Sequence, residues 1–176
     1  MAAAVAAAFD PQASVPSVVA AAIDAILPLS GQELRERIAL VRGLVQRQPD
    51  YHAFRRAIYD LGDAFLCRIL CDSRETVPLA LALFELAEGD VERCVAYGAN
   101  LGRDADTIAS MCGAIAGALR GARGIKSEWL ARVVSQRTIG ADMDQEQMAE
   151  ALARTALIKA EREQQAQARL AGIARA

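Results

Sequence analysis

Residues 97–130 read YGANLGRDADTIASMCGAIAGALRGARGIKSEWL, and this stretch decides both the fold class and the candidate chemistry. Asn100-Leu101-Gly102-Arg103 reads as a loop, after which Asp104 stands at the N-cap position of a helix over about 105–121. Ile108, Met111, Cys112, Ile115 and Leu119 recur at helical spacing and form its apolar side. Gly113, Gly117 and Gly121 fall on the stripe that also carries Asp106 and Ser110. A glycine inside a helix costs about 1 kcal/mol relative to alanine, so a stripe of them predicts a second backbone passing very close. In mid-helix, carboxylates at 104 and 106 would not share a face. At a loop-to-helix junction they can converge on one point, with the Thr107 hydroxyl beside them. Two carboxylates and a hydroxyl are hard oxygen donors that suit Mg²⁺ or Mn²⁺. The same Asp-x-Asp-Thr is also an ordinary helix cap favoured by the helix dipole, and spacing alone does not choose between the two. An EF-hand is excluded, because its glycine position falls on Ala109 and its closing glutamate position on Ile115.

Working outward, the apolar spacing is helical almost everywhere, and no stretch alternates like a strand. Helices are predicted within 1–9 and over about 16–27, the second ended by Pro28. Ser30 and Glu33 have the spacing of a capping box that opens a helix to about Gln48, and Asp50 caps the next, which carries Phe54, Ile58 and Leu61. The region 62–74 mixes apolar residues with polar breaks. Pro78 suits the first turn of a helix through about Ala87, and Gly89-Asp90 separates that helix from one ending near Ala99. Ser127 caps a helix containing Trp129 and Leu130. A last amphipathic segment starts near Asp144 with Met148, Leu152, Thr155 and Ile158, and turns almost wholly polar from Lys159. The domain reading is a helical domain over 1–158 and a polar tail over 159–176, helical or disordered. The fold class is all-α.

The chain has 176 residues, and 53% of them are apolar, enough to bury a core in one domain. With 20 Lys+Arg against 22 Asp+Glu and a net charge of −2, it lacks the basic footprint of a nucleic-acid binder. No apolar run approaches the roughly 20 residues of a membrane span. The N-terminal MAAAVAAAF has no basic n-region and soon meets Asp10 and Pro11, so it reads as a helix end and not as an export signal. Cys67, Cys71, Cys94 and Cys112 sit in apolar patterns with only His52 to complement them, which argues against zinc and for buried thiols in a reducing cytoplasm. His52, alone beside Tyr51, reads as a surface or half-buried residue.

The 97–130 segment is similar to the C-terminal signature of the ADP-ribosylglycohydrolase family, which includes the dinitrogenase reductase-activating glycohydrolases and the J crystallins. That signature runs N-x-G-x-D-T/A-D-T, then G-A-x-x-G-A-x-x-G, then I-P-x-x-W. The chain matches it at Asn100, Gly102, Asp104, Ala105, Asp106, Thr107, Gly113, Ala114, Gly117, Ala118, Gly121, Ile125 and Trp129, with Lys126 where the family has proline. Glu75-Thr76-Val77-Pro78 and the Ala/Leu helix after it also resemble the family. The likeness is strong over about 75–130, weaker over 1–74, and runs out beyond about 155.

The resemblance implies an orthogonal multi-helix fold with a binuclear Mg²⁺ or Mn²⁺ site. Asp104, Asp106 and Thr107 would be metal ligands, and Asp104 and Asp106 the catalytic carboxylates. Asn100, Gly102 and Ser110 would face the substrate. The implied reaction is hydrolysis of the glycosidic bond between ADP-ribose and an acceptor, on an ADP-ribosylated protein or a small ADP-ribosyl or ribosyl compound. The family's G-D-A-x-G and T-x-D-D-T motifs, which supply the remaining ligands, are not in this sequence. Gly62-Asp63-Ala64 imitates the first, but no T-x-D-D follows it. The expectation is therefore a fold lacking its N-terminal half, either as part of a hydrolase or as a non-catalytic interaction module. A separate complementing chain is a third arrangement.

Overall fold

The computed structural model describes residues 1–135 and 145–173, and among these every regular element is helical. In chain order the helices are α1 (Ala2–Ala8), α2 (Val15–Asp24), α3 (Gln32–Arg47), α4 (Tyr51–Asp60), α5 (Ser73–Leu86), α6 (Val91–Leu101), α7 (Ala105–Arg120), α8 (Ser127–Ser135) and α9 (Gln145–Ile173). Short 3₁₀ turns lie at Gly62–Ala64 and Ala122–Gly124. The all-α expectation holds. Two compact units divide the chain, residues 1–130 and residues 131–176.

In the first unit α5 is the central helix. Its sequence SRETVPLALALFEL is apolar nearly all round, the pattern of a helix with no solvent face. Leu79, Leu81, Leu83 and Phe84 are each at most 1% exposed, and each contributes about 1.5–3 kcal/mol of transfer free energy. Around it pack α3, α7, α2 and α6. Arg42 on α3 grips Glu85 on α5 through two 2.7 Å hydrogen bonds. Tyr51 of α4 stacks on Tyr97 of α6 with ring centroids 4.3 Å apart, and donates its hydroxyl hydrogen to the Tyr97 carbonyl. These contacts fix the positions of α5, α6 and α7, which carry the candidate site.

Several boundaries differ from the sequence reading. The capping box forms at Ser14 and Ser17, at the start of α2. The Ser30–Glu33 pair makes none: α3 starts after Gly31 with no side-chain cap, because 27–31 is already closed by the Gly31 N–H to Leu27 carbonyl bond. α2 stops at Asp24, ahead of Pro28. Pro78 is inside α5, not in its first turn, because Asp72, six residues before it, caps the helix by accepting from the Arg74 N–H. Cys67 and Cys71 lie in irregular backbone, half-buried and exposed, so only Cys94 and Cys112 are the buried thiols expected.

In the second unit α9 is a single long helix whose described side chains are exposed, Leu152 and Leu157 at 67% each. The segment after Lys159 is helical as far as Ile173. Asp144, where the sequence reading opens this helix, lies outside the described residues. Among the described residues no helix is long and apolar enough to cross a membrane.

Candidate metal and substrate site

The site begins where α6 and α7 touch. A Cβ on Gly98 would lie 2.6 Å from the Ala109 Cα, so only glycine lets the two backbones meet there. α6 then ends at Leu101 and the chain turns sharply through two left-handed residues, Gly102 at φ +92° and Arg103 at φ +63°. At Gly102 a side chain is also blocked by space, since a Cβ would stand 2.3 Å from the Tyr59 hydroxyl oxygen. The carbonyls left open at the end of α6 are taken up from α4. Arg55 Nε donates to the Asn100 and Leu101 carbonyls at 3.1 and 3.0 Å, and the Tyr59 hydroxyl to Leu101 at 3.1 Å.

Arg103 is held by a buried carboxylate. Its Nε donates to Glu75 Oε1 at 2.7 Å and its Nη2 to Oε2 at 2.8 Å, while Nη2 also donates to the Cys67 carbonyl. Glu75 is fully buried, and its Oε2 accepts the Cys67 N–H at 2.6 Å as well. A carboxylate removed from water needs such a complete set of donors. The hydrogen bonds that Arg103 donates to Glu75 raise its pKa above the ordinary value, so the guanidinium stays charged. This clamp joins the first turn of α5, the loop at Cys67 and the turn before α7.

Asp104 follows at the N-cap position, with its carbonyl accepting the Ile108 N–H at 3.0 Å. Its carboxylate makes no capping hydrogen bond. Its Oδ2 is buried and has no hydrogen-bond partner. A native protein rarely leaves a charged oxygen in that condition, and an ion or ligand is one of the few things that explains it. The cap reading of Asp104 fails on this point, whereas Asp50, Asp72 and Asp90 all cap with their side chains. Asp106 and Thr107 are exposed on the first turn of α7, and Ser110 is exposed one turn further on. Asn100 is exposed and donates its amide to the Ala96 carbonyl at 2.8 Å, which leaves its own oxygen to accept.

The donors expected from the sequence are two carboxylates and a hydroxyl, and one oxygen of the first carboxylate is buried and unsatisfied. That chemistry fits a hard divalent cation. It fits as part of a coordination shell, since the described residues contain no group of three or more His, Cys, Asp and Glu able to hold a metal. Beside the clamp lies a cavity of about 560 Å³ lined by Asp63, Leu66, Cys67, Arg68 and Arg103. A groove of about 490 Å³ is lined by Tyr51, His52, Arg55, Ala96, Tyr97 and Asn100. Gly117 faces open space, with nothing within 4 Å of where its Cβ would stand. The close backbone that the glycine stripe predicted is thus absent there, and the close approach occurs at Gly98.

The family model of the ADP-ribosylglycohydrolases matches residues 1–167. The chain belongs to the ADP-ribosylglycohydrolase family. It is also 34% identical over 112 residues to the uncharacterized protein YegU of Escherichia coli (strain K12), a match covering 64% of this chain and 32% of that protein. The chain thus spans about a third of that relative's length. No solved structure matches. Membership of the glycohydrolase family accounts for the all-helical fold. The sequence reading missed Glu75 and Arg103 as a pair, although Asp72-x-x-Glu75 has the spacing that marks a helix start.

Proposed function

We propose that this chain is the C-terminal, metal-binding part of a divalent-cation-dependent glycohydrolase acting on ADP-ribosyl compounds. The observation that carries the reading is the buried, unpartnered Asp104 Oδ2, adjoining the exposed Asp106 and Thr107. Asp104, Asp106 and Thr107 would hold Mg²⁺ or Mn²⁺, and the ion when bound would supply Lewis-acid chemistry. In the hydrolysis a water oxygen bonds to the anomeric carbon, the bond to the acceptor nitrogen or oxygen breaks, and a water proton ends on the departing acceptor. The carboxylates of Asp104 and Asp106 lower the energy of an oxocarbenium-like transition state by their charge. Asn100, Gly102 and Ser110 border the ribose. The remaining ligands for a binuclear site come from an N-terminal half, on the same polypeptide or on a complementing chain. The substrate is an ADP-ribosylated protein or a smaller ADP-ribosyl compound, and four free thiols favour a reducing compartment such as the cytoplasm.

A second reading, a non-catalytic helical module, is favoured by one observation: the described residues contain no complete ligand group. Calorimetry with Mn²⁺ separates the two. The hydrolase reading expects saturable heat with wild type, none with Asp106→Ala, and metal-dependent release of ADP-ribose from a modified protein once the N-terminal half is supplied. Absence of both metal heat and product release would favour the module.

A further inference from the structure

We infer that Glu75 and Arg103 are positioning residues that aim the Asp104 carboxylate, an inference that rests on the metal reading above. Arg103 is not glycine, yet it sits at φ +63°, a conformation costly for a side-chain-bearing residue. Something must hold it there. The holding contacts are the two hydrogen bonds to Glu75 and the one to the Cys67 carbonyl, all made by the side chain of the residue that precedes Asp104. Glu75 is in turn fixed on the first turn of α5 and by the Cys67 N–H, with no exposure to solvent. On its other side Asp104 is committed to α7 through its carbonyl. With both backbone neighbours immobilised and no capping bond of its own, the Asp104 carboxylate is left with Oδ2 buried and vacant. A cap-type hydrogen bond to the first turn of α7 would satisfy that oxygen, and the clamped turn holds it away from one. The clamp thus keeps a ligand oxygen free for a cation at the expense of local strain.

The test measures Mn²⁺ binding on the full chain through the loss of the free-ion electron paramagnetic resonance signal, alongside thermal melting. The informative variant is E75Q/R103G. Glycine adopts the left-handed turn without strain, and glutamine removes the charge that would otherwise be left unpaired, so the clamp is lost without leaving a buried charge. The expected result is an Mn²⁺ affinity about 10- to 100-fold weaker, the usual effect of removing a group that orients a metal ligand, with melting still cooperative. If that variant does not melt cooperatively, E75M/R103M, which replaces the pair by apolar side chains of similar length, is read in its place. Wild-type affinity in the folded variant would overturn the inference and leave the metal reading standing. An undiminished free-ion signal with wild type would overturn the metal reading itself, and the inference with it.

Discussion

The two sides of the segment joining α6 to α7 contrast sharply. On the inner side, Glu75, Arg103, Cys67, Arg55 and Tyr59 satisfy one another or the α6 carbonyls, and one buried oxygen of Asp104 has no hydrogen-bond partner. On the outer side, Asp106, Thr107 and Ser110 are exposed, and Gly117 meets nothing. The inner side bears the marks of a stability device, with buried, matched charges at fixed geometry. Among the described residues, no hydrogen bond or ion pair explains the residues of the outer side. The inner side thus combines stability with the positioning of Asp104, whereas the outer side carries candidate ligands that folding does not need, and substitutions on the two sides should differ chiefly in their cost to folding.

The largest effect is expected from Arg103→Met. Glu75 would be left buried without its cation, and breaking such a pair typically costs about 3–5 kcal/mol. Denaturant unfolding monitored by circular dichroism measures it. A loss below about 1 kcal/mol would mean that water reaches Glu75 and that the inner side is not sealed. Next comes Gly98→Ala. The new Cβ would lie 2.6 Å from the Ala109 Cα, so α6 and α7 must separate, and overpacking of that kind costs about 1–3 kcal/mol. Gly117→Ala is the matched control on the outer side. It makes the same chemical change inside a helix but meets open space, and it should stabilise by about 0.5–1 kcal/mol. If both alanines shift the melting midpoint in the same direction, the two sides of α7 are not distinct in the way described.

The sequence made the fold class legible because periodicity at 3.6 residues is a strong and redundant signal, visible in α3, α4 and α7 without tertiary information. It left the Asp104–Thr107 segment open between a helix cap and a set of hard oxygen donors, because a loop-to-helix junction suits both, and the choice of ligands rested on the resemblance to the family signature. It did not reveal the clamp. A buried glutamate is rare enough that Glu75 reads as a surface residue until its partners are known. Arg103 gives no hint of φ +63°, since the residue that advertises a left-handed turn is its neighbour Gly102. The start of α5 lies ahead of the one expected from Pro78, because the Asp72 cap is what sets the first turn. The glycine stripe failed for a different reason. Spacing identifies which residues share a face, but not whether anything lies opposite, and the residue that does permit close approach, Gly98, stands alone in its helix.

The smallest effect on stability, and the most telling for function, is expected from Asp106→Ala. The side chain is exposed on the first turn of α7. Its charge interacts favourably with the helix N-terminus, worth about 0.3–1 kcal/mol, while alanine recovers part of that through its better helix propensity. Unfolding free energy should therefore move by no more than about 0.5 kcal/mol, the range of ordinary surface substitutions. The metal reading nevertheless expects Mn²⁺ heat to disappear in the same variant. A protein that folds as well as wild type but no longer takes up the ion would place Asp106 in the ligand set beside Asp104. Unchanged Mn²⁺ binding would remove Asp106 from the ligand set and leave the vacant Asp104 oxygen in need of another partner.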